Sequence, residues 1–429
     1  MSRGSSPLGV RRFLETVDRP AILAILGLLV VSLVTLYSVT HAPVPENGDP
    51  SLEVGRGIFW RQIVWIGVGL AALLIGYSIP FRTIEDSGWV QYGVVLVLLV
   101  LVLSMPHRMG AERWIILGPL QFQPSELAKA AMIFLLAHFF ARRSGDVNQL
   151  RNLVAPMVLV LVPFALVLKQ PDLGTGLVFM AILLPMLFWA GLEPLHVALL
   201  VAPALNLIMH LWFLSRNESG LWFWIAILAG MTAVTVWRRK HWLENLVLLG
   251  LNVGARFAAS AVWARMHDYQ RKRIETFFTP DLDKLGQGYH VAQSKIAVGS
   301  GGLLGKGFMQ GTQKELAFLP ARHTDFIFSV VGEEFGLMGA LVILTLFGIL
   351  LTRGITFAAR AHNPFARNAA FGIVAYLGFQ MTQNIGMTVG LFPVAGIPLP
   401  LVSYGGSSLA MTLFLLGVLL NLGRSWREY

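Results

Sequence analysis

The chain has 429 residues, 55% of them apolar and only 13% charged, with a formal net charge of +10 and no cysteine. A water-soluble protein of this length needs far more polar surface to cover its core, so the solvent for most of the chain is a lipid bilayer. Disulfides are excluded, and the positive charge reads as asymmetry between membrane-flanking loops, which argues against a nucleic-acid surface.

Hydrocarbon about 30 Å thick is crossed by roughly 17–25 apolar residues of helix. Twelve such runs follow one another, near 20–40, 62–80, 88–106, 126–141, 152–169, 173–192, 195–214, 220–237, 244–264, 325–352, 368–392 and 399–423. The first 19 residues are polar and Ala21–Tyr37 is long enough to stay as an anchor, so no cleavable signal is expected. Segments 195–214, 220–237 and 244–264 are joined by short turns and form a three-helix block. No repeat, heptad or low-complexity tract divides the chain. The expected fold is therefore an all-α, polytopic helical bundle, one membrane domain over 1–429, interrupted by a single long polar loop at 265–324.

Short cytoplasmic connections retain Lys and Arg. Arg3, Arg11, Arg12 and Arg19 precede the first span, and Arg142, Arg143, Arg238, Arg239, Lys240, Arg353, Arg367 and Arg424 fall on the same face. Both termini are thus expected in the cytoplasm and the 265–324 loop outside.

Ionisable residues inside a membrane are costly unless paired or lining a cavity. In FQPSELAK, Pro124 suits the first helical turn and Glu126 suits the positive end of the helix dipole, whereas Lys129 is placed where that dipole disfavours a cation. Glu126 compensates it at spacing i, i+3, and an anionic ligand at a helix N-terminus would do so too. A structural ion pair and a ligand site both stand open. Asp172 reads as the N-cap of the helix that follows it. Gln380 and Asn384 share a helix face and suit hydrogen bonding between helices. At least one of Glu333 and Glu334 should face a polar interior, and Arg256 is expected to snorkel toward the headgroups. The glycine-rich GSGGLLGKG at 299–307 offers backbone amides and Lys306 to an oxyanion, without the spacing of a P-loop.

Longer motifs go further. HDYQRKRI, GQGYHVAQSKIAVGSGGLLGKGFMQGTQKELAFLPARHTDFIFSVVGEEFG, NIGMTVGLFPVAGIPLPLVSYGGSS, FQPSELAK and KQPDLGTG resemble the shape, elongation, division and sporulation (SEDS) family of bacterial wall polymerases, over nearly the whole chain and most closely its elongation branch. The departure is at 195–264, where the family pattern has one helix and this chain has three, so a hairpin is inserted and the family core of ten spans becomes twelve.

The resemblance implies a glycosyltransferase of the bacterial cytoplasmic (inner) membrane. It would polymerise lipid II for cell elongation and rod shape and release undecaprenyl pyrophosphate. The expected partners are a class B penicillin-binding transpeptidase and other membrane proteins of the elongation machinery. The family's external catalytic aspartate matches Asp283 in TPDLDKLGQGYH rather than Asp281. A sugar hydroxyl needs a positioned base and a pyrophosphate leaving group needs cations. Lys129, Lys306, Arg113 and Arg322 are candidates for the second task, with Arg61 at a helix end and Glu126 orienting Lys129. A divalent cation remains open, because one loop aspartate makes no ligand cluster. Apolar helices would hold the polyprenyl tails, with Trp60, Trp65 and Trp114 at the interface. A lipid II flippase and a non-catalytic scaffold are the alternatives. The charge pattern predicts that a reporter fused after Tyr429 reads cytoplasm and one inserted near Gln310 reads outside; both on one side would overturn the twelve-span order.

Overall fold

A computed structural model of the chain describes residues 17–41, 54–104, 115–117, 120–142, 147–170, 172–215, 220–237, 242–266, 271, 275–276, 287–311 and 323–425. In hydrocarbon each backbone N–H and C=O must be satisfied within the protein, and helices do this within one segment. Among the described residues, twelve long helices occupy the places of the twelve expected crossings. They are α1 (Arg19–Thr40), α2 (Val54–Ser78), α4 (Gly88–Leu103), α5 (Pro124–Arg142), α6 (Leu150–Lys169), α7 (Leu173–Trp189), α8 (Pro194–Ser215), α9 (Leu221–Trp237), α10 (Trp242–Arg265), α12 (Ile327–Arg360), α13 (Pro364–Thr388) and α14 (Gly406–Ser425). Seven are long and apolar enough to cross a membrane, and three more are shorter apolar helices. A short α3 (Phe81–Asp86) precedes α4, a hairpin of β1 (Ile115–Leu117) and β2 (Leu120–Phe122) precedes α5, and α11 (Gln287–Ser300) lies within the polar loop. At 14 residues α11 is too short to cross.

Some boundaries differ from expectation. The runs near 368–392 and 399–423 are separated by non-helical chain from 389 to 405. Gly390 and Gly396 take positive φ there, and Pro398 and Pro400 supply no N–H, so the apolar residues of this stretch make a folded loop.

Helix α5 is the centre of the bundle, packed by α4, α6, α7, α13 and α14. It is the most buried and the least apolar of the seven long spans, because its neighbours are protein and not lipid. Helices α2 and α14 pack backbone to backbone: a Cβ on Gly76 would overlap the Phe414 carbonyl oxygen, and one on Gly417 the Leu73 carbonyl oxygen. Such close approach is how helices associate where lipid removes the hydrophobic driving force. At the end where α1 begins, Asp18 caps α1 through the Ala21 N–H at 3.2 Å and pairs with Arg353 of α12.

The expected three-helix block is present as α8, α9 and α10. Its polar residues face one another: Asn206 donates to the Asn252 carbonyl at 3.2 Å, and Arg256 lies 3.3 Å from His210 Nδ1 with its guanidinium 4.9 Å from the Trp224 ring centre. Arg256, expected to snorkel, is thus engaged inside the block, where ring and imidazole replace part of its hydration.

Gly417→Ala is expected to cost about 1–3 kcal/mol through overpacking, visible as a lower Tm in detergent. Gly57→Ala on α2, where no atom lies within 4 Å of the added carbon, should be unaffected.

Candidate functional site

The β1–β2 hairpin runs directly into Pro124 at the start of α5, which sets Glu126 and Lys129 in the first turns of the central helix. Lys129 Nζ is 2.7 Å from Glu126 Oε2, with side chains only 2% and 4% exposed. The ammonium also lies 5.4 Å from the centre of the Tyr376 ring on α13, and the Tyr376 hydroxyl is 3.0 Å from Thr412 Oγ1 on α14. A buried cation keeps its charge when a carboxylate and a ring face replace its water. Two helices meet at this ammonium, and α14 joins them through the Tyr376 hydroxyl.

Glu126 and Lys129 open onto a cavity of about 810 Å³ at the end of the bundle opposite the Asp18–Arg353 pair. Helix α2 contributes Trp60, Arg61 and Trp65, and the start of α7 contributes Asp172 and Thr175. Asp172 is the N-cap expected for α7, accepting from the Thr175 N–H at 3.1 Å and the Thr175 hydroxyl at 3.0 Å; Gln123 Nε2 adds a bond at 3.2 Å. The cap residue is therefore also a cavity residue.

The remaining wall joins two loops distant in sequence. Asn384 donates to the carbonyls of Asp325 at 2.9 Å and Ile397 at 2.8 Å, and Ser403 Oγ donates to the Thr324 carbonyl at 2.6 Å. The Tyr404 N–H donates to the His323 carbonyl at 2.9 Å. These bonds hold Thr324 and Asp325 on one side of the cavity and 396–408 on the adjoining side. Gly174 lets α7 meet the second loop, since a Cβ there would overlap the Ala395 carbonyl oxygen.

Of the candidate residues, the structure brings Glu126, Lys129 and Arg61 to one cavity. Asp283, Asp281, Arg113, Arg322 and Trp114 lie outside the described residues. Lys306 does not line the cavity; its Nζ is 2.7 Å from Glu333 Oε1 on α12. Two amides of the glycine-rich stretch are also committed, Lys306 N–H to the Glu333 carbonyl at 2.9 Å and Gly307 N–H to the Glu334 carbonyl at 3.0 Å. Trp60 and Trp65, expected at the interface, are on the cavity wall. Asp325 is there too, and so is Gln380, which the sequence marks only as a polar residue sharing a helix face with Asn384. Among the described residues no three His, Cys, Asp or Glu side chains gather to hold a metal ion. Among the described residues the wall carries Lys129 and Arg61 beside Glu126, Asp172 and Asp325 and several amides, around a space large enough for a drug-sized polar ligand.

A family model described as "Cell cycle protein", covering FtsW, RodA and SpoVE, matches residues 19–428. The chain is 36% identical over 410 residues to the peptidoglycan glycosyltransferase MrdB of Escherichia coli (strain K12), covering 94% of this chain and 93% of that protein. It is 32% identical over 420 residues to the peptidoglycan glycosyltransferase RodA of Treponema pallidum, covering 92% and 96%. Among solved structures it is similar to a chain from a peptidoglycan synthase complex studied for coordination of polymerization and crosslinking, with TM-score 0.69, 30% identity and coverage of 96% and 99%. It is also similar to the Rod shape determining protein RodA of Thermus thermophilus, with TM-score 0.60, 28% identity and coverage of 95% and 97%.

Removing one partner of a buried ion pair leaves a charge without compensation. Glu126→Gln is therefore expected to lower stability by about 3–5 kcal/mol, read as a drop in Tm in detergent, and Lys129→Met in the same molecule should recover most of it. A double variant no more stable than the single would show that Glu126 is not what holds the Lys129 charge.

Proposed function

Because the chain belongs to the FtsW, RodA and SpoVE family, the SEDS proteins, we propose that it is a peptidoglycan glycosyltransferase that polymerises lipid II into glycan strands and releases undecaprenyl pyrophosphate. The observation that carries this reading is the cavity with Lys129 and Arg61 on its wall, set at one end of a membrane bundle. A diphosphate-linked sugar on a polyprenyl tail has the matching chemistry: anionic in the middle, hydroxylated at one end and apolar at the other.

In the proposed reaction the Asp283 carboxylate takes the proton from an acceptor sugar hydroxyl. That oxygen attacks the anomeric carbon of the lipid-linked donor, and the bond from this carbon to the diphosphate oxygen breaks. The electron pair leaves with undecaprenyl pyrophosphate, whose charge falls to Lys129 and Arg61, with Arg113 and Arg322 of the external segments as further cations. Glu126 orients Lys129. The enzyme is placed in the bacterial cytoplasmic membrane with both termini inside, a placement supported by its basic short connections. Assignment to the elongation branch rests on the HDYQRKR and PLPLVSYGG motifs, and a class B penicillin-binding transpeptidase is the matching partner.

Purified protein should make glycan polymer from lipid II, faster with the co-purifying transpeptidase; a matched transpeptidase that neither binds nor changes the rate would weaken the elongation assignment. A chelator in the same assay reads any use of divalent cations. Asp283→Asn should abolish polymer while lipid II still binds, a loss of roughly 10²–10⁴-fold for a general base, and Asp281→Asn should be far milder. Near-normal polymer from Asp283→Asn, or equal loss from both, would take Asp283 out of its role; no polymer from the unaltered protein would return the flippase and scaffold readings.

A further inference from the structure

Helix α12 spans 34 residues, about 51 Å at 1.5 Å per residue, and is broken at Gly336, whose φ of 61° and ψ of −154° are closed to other residues. Gly336 and Arg353 are 17 residues apart by number (353 − 336), about 25 Å along the helix. Arg353 marks the end of the bundle where α1 begins, so the break lies near the opposite membrane surface, at the level of the cavity. Tyr37 stacks on His41 there, with ring centres 4.1 Å apart, and lies 6.4 Å from Phe308, as an interfacial aromatic group does.

A broken helix leaves carbonyls and amides without partners. The 301–311 loop supplies them from both directions. Besides the Lys306 and Gly307 amides on the Glu333 and Glu334 carbonyls, the Leu337 N–H donates to the Gly302 carbonyl at 2.9 Å and the Met338 N–H to the Leu303 carbonyl at 3.1 Å. A Cβ on Gly301 would overlap the Gly332 carbonyl oxygen and one on Gly305 the Glu334 carbonyl oxygen, so only glycine permits this approach. Side chains lock the joint: Lys306 on Glu333, which is 1% exposed, and Ser38 Oγ of α1 donating to Glu334 Oε1 at 2.6 Å. Helix α11, which leads into this loop, is pinned as well, since Ser294 Oγ lies 2.6 Å from Ser329 Oγ and donates to the Thr388 carbonyl at 2.7 Å. Asp283 stands four residues before α11 (287 − 283), and the chain after the loop reaches the cavity wall at Thr324 and Asp325.

We infer that Glu333 is a positioning residue for the proposed transfer: through Lys306 it latches the 301–311 loop into the break of α12, fixing the polar segment that the reaction uses on either side of it. This rests on the glycosyltransferase reading and deepens it. Neither side chain touches the cavity, so the latch acts on turnover by placement and not on affinity for the diphosphate.

The test is a double-mutant cycle on the full chain with lipid II, using Lys306→Met, Glu333→Gln and both together, with turnover counted per folded molecule. Since misplacement by about 1 Å can cost 10²-fold, each single variant is expected to lose about 10- to 100-fold in kcat with KM nearly unchanged, and the double to be no worse than the poorer single. Amide hydrogen exchange over 301–311 should quicken in both single variants, a readout independent of activity. If Lys306 instead binds the diphosphate, Lys306→Met raises KM and Glu333→Gln stays near normal, which overturns the latch. A lower Tm with normal turnover per folded molecule makes the pair structural only and overturns it too. Unaltered exchange over 301–311 overturns it directly, whereas quickened exchange in a protein that makes no polymer even when unaltered refutes the glycosyltransferase reading on which it rests.

Discussion

An ammonium buried in the first turns of a helix opposes the dipole of that helix, and no water is at hand to carry the charge. Lys129 is held there by Glu126 one turn earlier and by the face of Tyr376, so α5, α13 and α14 must meet at one level of the bundle. That requirement explains why the least apolar of the long spans is the most enclosed. It also explains why the cavity opens where it does, since the pair stands at the helix start and the polar ends of α2 and α7 gather beside it.

The same constraint governs α12. A break in a helix at the membrane surface exposes backbone groups that lipid cannot satisfy. Here the glycine-rich loop satisfies them, with backbone approach at Gly301 and Gly305 closer than any side chain permits. The polar residues of the long loop divide accordingly. Lys306 and its neighbouring amides secure the loop to α12, while Thr324 and Asp325 face the cavity. Glycine, which reads in sequence as a sign of an anion cradle, here marks the close crossing of two segments of the chain.

Polar side chains elsewhere follow a common division of labour. Asn384 and Ser403 spend their hydrogen bonds on backbone carbonyls across the loops, and so hold a wall on which other groups face inward. In the α8–α10 block, Asn206, His210 and Arg256 find one another. Each case is a polar group satisfied by a partner in a different segment of the chain.

What the sequence by itself determined is whatever depends on near neighbours along the chain. Apolar run length places the twelve long helices, the i, i+3 spacing places Lys129 beside Glu126, and the cap preference places Asp172 before α7, because each is decided within one or two helical turns. The loop at 389–405, with its positive-φ glycines and prolines, was legible only in part, since its apolar composition mimics a span. Only the tertiary structure decided that Arg61, Trp60 and Trp65 belong to the cavity, that Asn384 reaches Asp325 across 59 positions and Ser403 reaches Thr324 across 79, and that Lys306 meets Glu333. The physical reason is that the bonds joining these loops and helices form between segments whose separation along the chain has no period, so which polar group finds which is settled when the helices pack and water is excluded.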